Sequence, residues 1–445
     1  MNTPICDFVN NYIKSDSLRL HMPGHKGKGF FGMEKYDITE IFGADSLYEA
    51  DGIIKESENN ASSLFGCDTF YSTEGSSLCI RAMLHLALIH GKEQGRKPVV
   101  LAGRNAHKTF ISAAALLDFD IQWIYGEGSY LSCNISAESV EKSILFADDK
   151  PVALYLTSPD YLGNVVDIKN IADVCRKYGV LLLVDNAHGA YLKFLPESKH
   201  PVDLGADMCC DSAHKTLPVL TGGAYLHISK ELPEMFNQQA KNSLALFGST
   251  SPSYLILQSL DYANKYISSG YKSNLAEFAE KVSKLKDELV DIGYTFIGNE
   301  PLKLTFATKN YGYTGLEFAE KLANNNLICE FADPDYTVLM LTPETGEEAL
   351  VVIKNILKNI PQKQSITALA PEMSVTQAVM SVRQAMMSPK EEVAVDQAVG
   401  RILADASVGC PPAVPIVVCG ELIDKQTVEC FKYYGIEKCM VVQNL

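Results

Sequence analysis

Long apolar runs are missing from this sequence. No stretch approaches the ~20 residues a helix needs to cross a bilayer. Residues 1–11 (MNTPICDFVNN) lack a basic start followed by an apolar core, so no secretory leader is expected. The two absences make the cytoplasm the expected location, with no membrane partner. Positive charge is also scarce. Lys and Arg number 39 against 54 Asp and Glu, a net charge of −15, and nothing forms a basic stripe. A nucleic-acid partner is therefore not expected, while approach of a cationic small molecule is mildly favoured. The twelve cysteines form no CxxC pair and no Cys/His zinc spacing. Free buried thiols are expected rather than disulfides or a metal site.

What is present is ordinary in composition: 47% hydrophobic and 21% charged residues, in a 445-residue chain that can hold two or three domains. The stretch Asp211-Ser-Ala-His-Lys-Thr-Leu-Pro-Val-Leu-Thr-Gly-Gly-Ala-Tyr-Leu-His227 stands out. It reads as a strand end, a short polar turn holding Lys215, and a Gly pair leading into another strand. A Lys in such a turn suits the anchoring amine of pyridoxal phosphate (PLP), held as a Schiff base. A solvated loop Lys is the plain alternative.

From about 61 to 228, short apolar runs alternate with helical patterns. Strands are expected at 69–72, 98–101, 121–124, 152–156, 180–184, 208–210 and 224–228. Amphipathic helices are expected at 78–89, 108–117, 136–146 and 168–177. Such alternation predicts an α/β fold built on a mostly parallel seven-stranded sheet. Ligands on such sheets sit beyond the carboxyl ends of the strands. The loops 72–77, 103–108, 157–161, 185–188 and 211–215 should therefore converge.

Their chemistry fits one ligand. Gly75-Ser-Ser77 opens a helix and offers N–H groups, two hydroxyls and the helix dipole to a phosphate. A helix start with no ligand is the alternative. Asp185 ends an apolar strand, where a carboxylate needs a partner. In a PLP site it pairs with the pyridine nitrogen, Ala187 lies flat under the ring, and His107 stacks on the opposite face. An Asp that caps a turn and a hydrogen-bonded loop His are the alternatives. In the arm formed by residues 1–60, His21-Met-Pro-Gly-His-Lys26 holds two histidines. They could form a metal half-site, but no third ligand sits at ligand spacing. An arm packed over a pocket is the better reading.

The chain resembles the bacterial ornithine/lysine/arginine decarboxylase family. The resemblance is carried by His21-Met-Pro-Gly-His-Lys26, Asp37-Ile-Thr-Glu40, Gly75-Ser-Ser77, Arg104-Asn-Ala-His-Lys108, Val184-Asp-Asn-Ala-His-Gly189, Ser212-Ala-His-Lys-Thr-Leu217 and Ser249-Thr-Ser-Pro-Ser-Tyr254. It implies the PLP fold type I of the aspartate aminotransferase superfamily. It also implies α-decarboxylation of arginine, lysine or ornithine, as in polyamine biosynthesis. By that resemblance Lys215, His107 and Asp185 are catalytic. Gly75, Ser76, Ser77, Ala187, His188, Ser212 and His214 join them around the cofactor. Thr250 would reach the phosphate of a neighbouring subunit, which implies a homodimer or larger assembly with shared sites. Glu74, Asp45 and Asp405 are the candidates for holding the substrate's distal cation. Lys215 or a nearby His is the candidate acid.

The expected organisation is an arm at 1–60, a PLP-binding large domain at 61–290, a small α+β domain at 291–360 and a C-terminal domain at 366–445. The stretch from Tyr254 to Asp291 reads as long and helical. The chain also departs from the family. Asn186 replaces a usual Glu, Glu74 a usual Asn, and Gly222 a usual Gln. Asp405 stands where Glu is common. Cys410-Pro-Pro-Ala-Val-Pro415 and Cys419-Gly-Glu421 replace Tyr-Pro-Pro-Gly-Ile-Pro and Pro-Gly-Glu. Two rival readings stay open. One is amino transfer, for which Arg104 and Arg401 are available to grip a second carboxylate. The other is a PLP-binding paralogue with no catalytic role.

Overall fold

The computed structural model describes residues 1–126, 134–373, 375–410 and 414–443. Pro411, Pro412 and Ala413, in the altered proline segment, lie outside the described residues. The expected strands are present as β1 (Asp68–Ser72), β2 (Val99–Gly103), β3 (Asp120–Ile124), β4 (Ala153–Thr157), β5 (Leu181–Asp185), β6 (Met208–Asp211) and β7 (Ala224–Ile228). They form one seven-stranded sheet in the order β1-β7-β6-β5-β4-β2-β3. β5 and β6 are parallel, as are β2 with β3 and β2 with β4. β7 runs antiparallel to both β6 and β1. The sheet is therefore mostly parallel, as the alternation predicts.

The chain divides into two compact units, and the division does not follow chain order. One unit holds Met1–Gly95 and Cys175–Asn274; the other holds Arg96–Val174 and Leu275–Leu445. In the first, every residue of β5 is buried. Such a run of Leu and Val marks a strand covered on both faces. The helix Gly75–Glu93 packs on β5, β6 and β7 through a buried face that includes Leu78, Met83, Leu84 and Leu86. The expected long helix after Tyr254 is broken. It runs Tyr254–Tyr266, then Gly270 takes φ +98° before a new helix at Lys272–Asp291. A positive φ has no place in a right-handed helix, and Gly is the residue that reaches it without strain.

In the second unit, the helices Lys108–Leu117 and Ala137–Leu145 belong to the β2–β4 part. Beyond it, β8 (Phe296–Ile297), β9 (Lys303–Ala307), β10 (Phe331–Ala332) and β11 (Tyr336–Met340) form an antiparallel sheet in the order β10-β11-β9-β8. Of the stretch 326–332 only the last two residues are strand. The C-terminal segment pairs β12 (Lys390–Ala394) with β15 (Lys438–Val442) and β13 (Ser407–Cys410) with β14 (Val414–Val418). An apolar cluster that includes Val395, Leu403, Ile416, Phe431 and Val441 gives this segment a core of its own.

Candidate active site

Lys215 sits in the short helical turn Ala213–Thr216, directly after β6. The turn is fixed from both sides. The Lys215 N–H donates to the Ser212 carbonyl at 3.0 Å, and the His214 N–H donates to the Gly223 carbonyl at 3.2 Å. The His214 ring adds its own Nδ1–H to the same carbonyl at 3.0 Å. Burial lowers the His214 pKa, and the nearby Lys215 ammonium adds to that against the carbonyl bond. The amine of Lys215 is half-buried, and its Nζ lies 3.1 Å from Nε2 of the buried His188. An imidazole nitrogen that accepts from an ammonium carries its own proton on the other nitrogen. The pair can thus pass a proton between Nζ and Nε2.

Asp185 ends β5 and is 3% exposed. Its Oδ1 accepts the Ala187 N–H at 3.2 Å and lies 3.7 Å from the Cys210 thiol. One residue on, Asn186 donates from Nδ2 to Asp211 Oδ1 at 2.6 Å. Asp211 is fully buried, and its Oδ2 accepts from Nε2 of both His200 and His227, each at 3.1 Å. Burial alone would raise the Asp211 carboxyl, but the two imidazoles reverse this and hold it well below the usual range. His227 is pulled down by burial against the pull of Asp211. His200, Cys209 and Asp211 are the one group at metal-ligand spacing among the described residues. Hydrogen bonding accounts for them: burial holds the Cys209 thiol protonated, and Asp211 takes its charge-assisted bonds from the two rings.

A third loop meets these two. The Gly75 N–H donates to the Gly222 carbonyl at 2.7 Å, and Gly75 has φ +70° at the start of the helix 75–93. Ser212 Oγ donates to Ser76 Oγ at 2.9 Å. The helix begins with no acidic residue in its first turn, and its N-cap Glu74 makes no side-chain cap bond. The positive end of the helix thus lies beside the bonded Ser76 and Ser212 hydroxyls, a setting that suits an anion. Gly222 has φ +100°, and a Cβ there would come 2.8 Å from the Thr73 carbonyl oxygen. A Gln in this position would be strained on both counts.

The remaining expected residues fall as follows. His107 is the N-cap of helix 108–117, and its Nδ1 accepts the Thr109 N–H at 3.2 Å. The ring is exposed. Thr250 is exposed in the loop before Tyr254. Glu74 is exposed, and its Oε1 accepts the Ser249 N–H at 2.6 Å. Asp45 has another job. It is 8% exposed and both oxygens hold the N–H of Gly52 at 2.9 Å, with Ile54 added at 2.7 Å. Asp45 thus fixes the start of the helix Ile53–Phe65 and is poorly placed to receive a substrate cation. Asp405 lies just before β13 in the C-terminal segment, which belongs to the other unit. The His21/His25 motif is used internally: His21 Nε2 meets Tyr12 Oη at 2.6 Å, and His25 Nε2 meets Asp37 at 3.1 Å. Both arginines considered for amino transfer are engaged. Arg104 is buried against Glu421, and Arg401 pairs with Glu391.

A sequence profile described as "Orn/Lys/Arg decarboxylase, major domain" matches residues 3–296, and one described as its C-terminal domain matches 359–440. The chain belongs to the Orn/Lys/Arg decarboxylase family. Within this decarboxylase family, the arginine decarboxylase of Halalkalibacterium halodurans is 29% identical over 459 residues, covering 95% of this chain and 91% of the relative. The uncharacterized protein YaaO of Bacillus subtilis is also 29% identical, over 96% of this chain and 93% of its own. Among solved structures, a lysine decarboxylase from Francisella novicida superposes with a TM-score of 0.80 at 16% identity, covering 99% of this chain and 81% of that one.

Proposed function

We propose that the chain is a PLP-dependent decarboxylase that converts arginine, lysine or ornithine to the corresponding amine and CO2. The observation that carries this is the 3.1 Å contact between Lys215 Nζ and His188 Nε2, on the loops of Ser212 and Asp185, with Ser76 of a third loop bonded to Ser212. The donor set fits the cofactor. It has an amine, a buried carboxylate and an uncapped helix start with hydroxyls beside it. PLP, when bound, supplies an electron sink for the negative charge left at Cα as CO2 departs.

The chain's residues supply the rest. Lys215 offers the anchoring amine. Asp185, by its charge and burial, would hold a proton on the ring nitrogen. Ser76, Ser77, Ser212 and His214, with the N-terminus of helix 75–93, would hold the phosphate. Ala187 leaves room for a flat ring, and His107 would cover its other face. His188 takes a proton from Nζ and returns it, which makes Lys215 the acid that reprotonates the substrate carbon. Glu74, exposed and close to the phosphate cup, is the carboxylate in that unit we assign to the substrate's distal cation.

Two observations support an assembly with shared sites. Thr250 is exposed, and Phe30, Phe31 and Phe42 in the arm stand fully open. Apolar rings in such number call for a covering surface, and a second copy of the chain would provide it. No helix among the described residues is long and apolar enough to cross a membrane.

The test is a panel of arginine, lysine and ornithine with the purified, PLP-loaded chain, following CO2 and keto acid. CO2 without keto acid is expected. Lys215→Ala should abolish it and remove the protein-linked visible absorbance. CO2 release at the parent rate by that variant would overturn the assignment. Bound PLP with no product from any of the three would favour a non-catalytic paralogue.

A further inference from the structure

His107 opens a helix that is gripped at both ends by the C-terminal segment. Ahead of it, Arg104 is 1% exposed and forks onto Glu421, Nη1 to Oε1 and Nη2 to Oε2, each at 2.7 Å. Glu421 is 2% exposed, and it also accepts the Val418 N–H at 2.8 Å and the Thr376 hydroxyl. The guanidinium lies 5.0 Å from the Trp123 ring centre and 5.8 Å from that of Tyr125. Between Arg104 and His107 the chain is tight. Asn105 and Ala106 are buried, and the Ala106 N–H closes a turn onto the Gly103 carbonyl at 3.1 Å. At the far end, Arg383 Nη1 donates to the Ala115 carbonyl at 2.7 Å, and its Nε lies 3.9 Å from Asp118. Carbonyls in a helix's last turn lack partners within the helix, and a cation there also suits the helix dipole.

A two-toothed buried ion pair is a demanding way to join two parts of a chain. Removing one partner leaves the other charge buried and unpaired. Simple apolar packing would have joined them with less at stake. What the fork provides is a fixed orientation, and the residue it orients three positions on is His107.

We propose that residues 366–445 act as a positioning clamp for His107, with Arg104–Glu421 and Arg383 as its two grips. The clamp's value to catalysis rests on the proposed PLP site; its grip on the helix does not. Glu421 and Arg383 are positioning residues that act through the helix.

The test compares the full chain with Glu421→Gln and Arg383→Ala, with and without added pyridoxal phosphate. Amide exchange in helix 108–117 should become about ten- to a hundredfold faster in Glu421→Gln. Helix 137–145, in the same unit, should keep its rate. Trp123 is the chain's one tryptophan, so its emission reports on the guanidinium above it and should shift in Glu421→Gln alone. Arg383 is 45% exposed, so Arg383→Ala is the milder change. It should free only the last turn of the helix, and it serves as the test if Glu421→Gln does not fold. Both variants should bind pyridoxal phosphate several-fold more weakly. Unchanged exchange in 108–117, or equal acceleration of both helices, would overturn the clamp. If the parent chain fails to bind pyridoxal phosphate, the site reading falls, and the exchange pattern alone decides the clamp.

Discussion

Glu300 offers a sharp test of the electrostatics around the loop after β4. It is 3% exposed, and its backbone N–H donates to the Gly163 carbonyl at 3.0 Å. Nearby, Lys303 is 4% exposed and donates from Nζ to the carbonyls of Asp160 at 3.3 Å and Tyr161 at 3.2 Å. Burial pushes the Glu300 carboxyl from 4.5 up to about 7, against the opposing pull of Lys303. Because the folded pKa is raised for an acid, the folded state keeps its proton while the unfolded chain loses one. Stability is full below 4.5 and falls as pH rises through about 7. The loss above that window is about 3 kcal/mol, at ~1.4 kcal/mol per pKa unit.

Glu300→Gln removes the titration and keeps the shape. Urea midpoints of parent and variant, measured from about pH 5 to pH 8, should diverge. The parent should lose stability across this range relative to the variant by about 2–3 kcal/mol. Asp160, pushed up to about 6 by burial, titrates in both proteins and cancels in the difference. A difference that stays flat across the range would refute the reasoning, because it would mean Glu300 ionises in the folded chain as readily as in water.

Other tests address the site and its surroundings. Asp211→Asn should destabilise the chain by about 3–5 kcal/mol by urea titration, since it removes the charge that two buried imidazoles donate to. The depressed folded pKa of Asp211 predicts stability that is present above the ordinary carboxylate range and lost on acidification. Acid unfolding of the parent should therefore be steeper than that of the variant. His188→Gln should lower kcat by about a hundredfold with a smaller change in KM, read from CO2 release, because it removes a proton carrier and keeps a polar partner for Nζ. Replacing Phe30, Phe31 and Phe42 together by Ser should shift sedimentation from dimer towards monomer. A parent that sediments as a single chain while active would end the shared-site reading.

Much of the scaffold was legible because strand and helix periods alternate cleanly between 61 and 228. The strand expected at 180–184 and the helix expected at 108–117 lie within a residue of the observed bounds, since Leu, Val and Ala runs there are punctuated by Gly, Asp and His. The small sheet was harder. β8 has two residues and leaves no periodic trace. The break at Gly270 was hidden because one Gly within an apolar stripe is compatible with an unbroken helix. At the site, spacing alone announced the loops but not their meetings. His188 and Lys215 lie 27 residues apart and meet only because β5 and β6 are neighbours. Likewise Arg104 could be offered for amino transfer only while Glu421 was a distant residue in the sequence.

The departure at 186 belongs with the buried Asp211. A Glu at 186, usual in the family, would set a second carboxylate against Asp211, which is 0% exposed. Two charges so placed cannot both stay ionised. Asn186 instead brings a donor, 2.6 Å from Asp211 Oδ1, while His200 and His227 supply the other oxygen. Gly189 completes the arrangement, since a Cβ there would come 2.0 Å from Asn186 Oδ1. The tip of β5 is thereby tied to the end of β6, the two places from which Asp185 and Lys215 extend. Asn186 is therefore, in the fold, a neutral side chain suited to a buried charge, and its bond to Asp211 leaves Asp185 and Lys215 at the ends of β5 and β6.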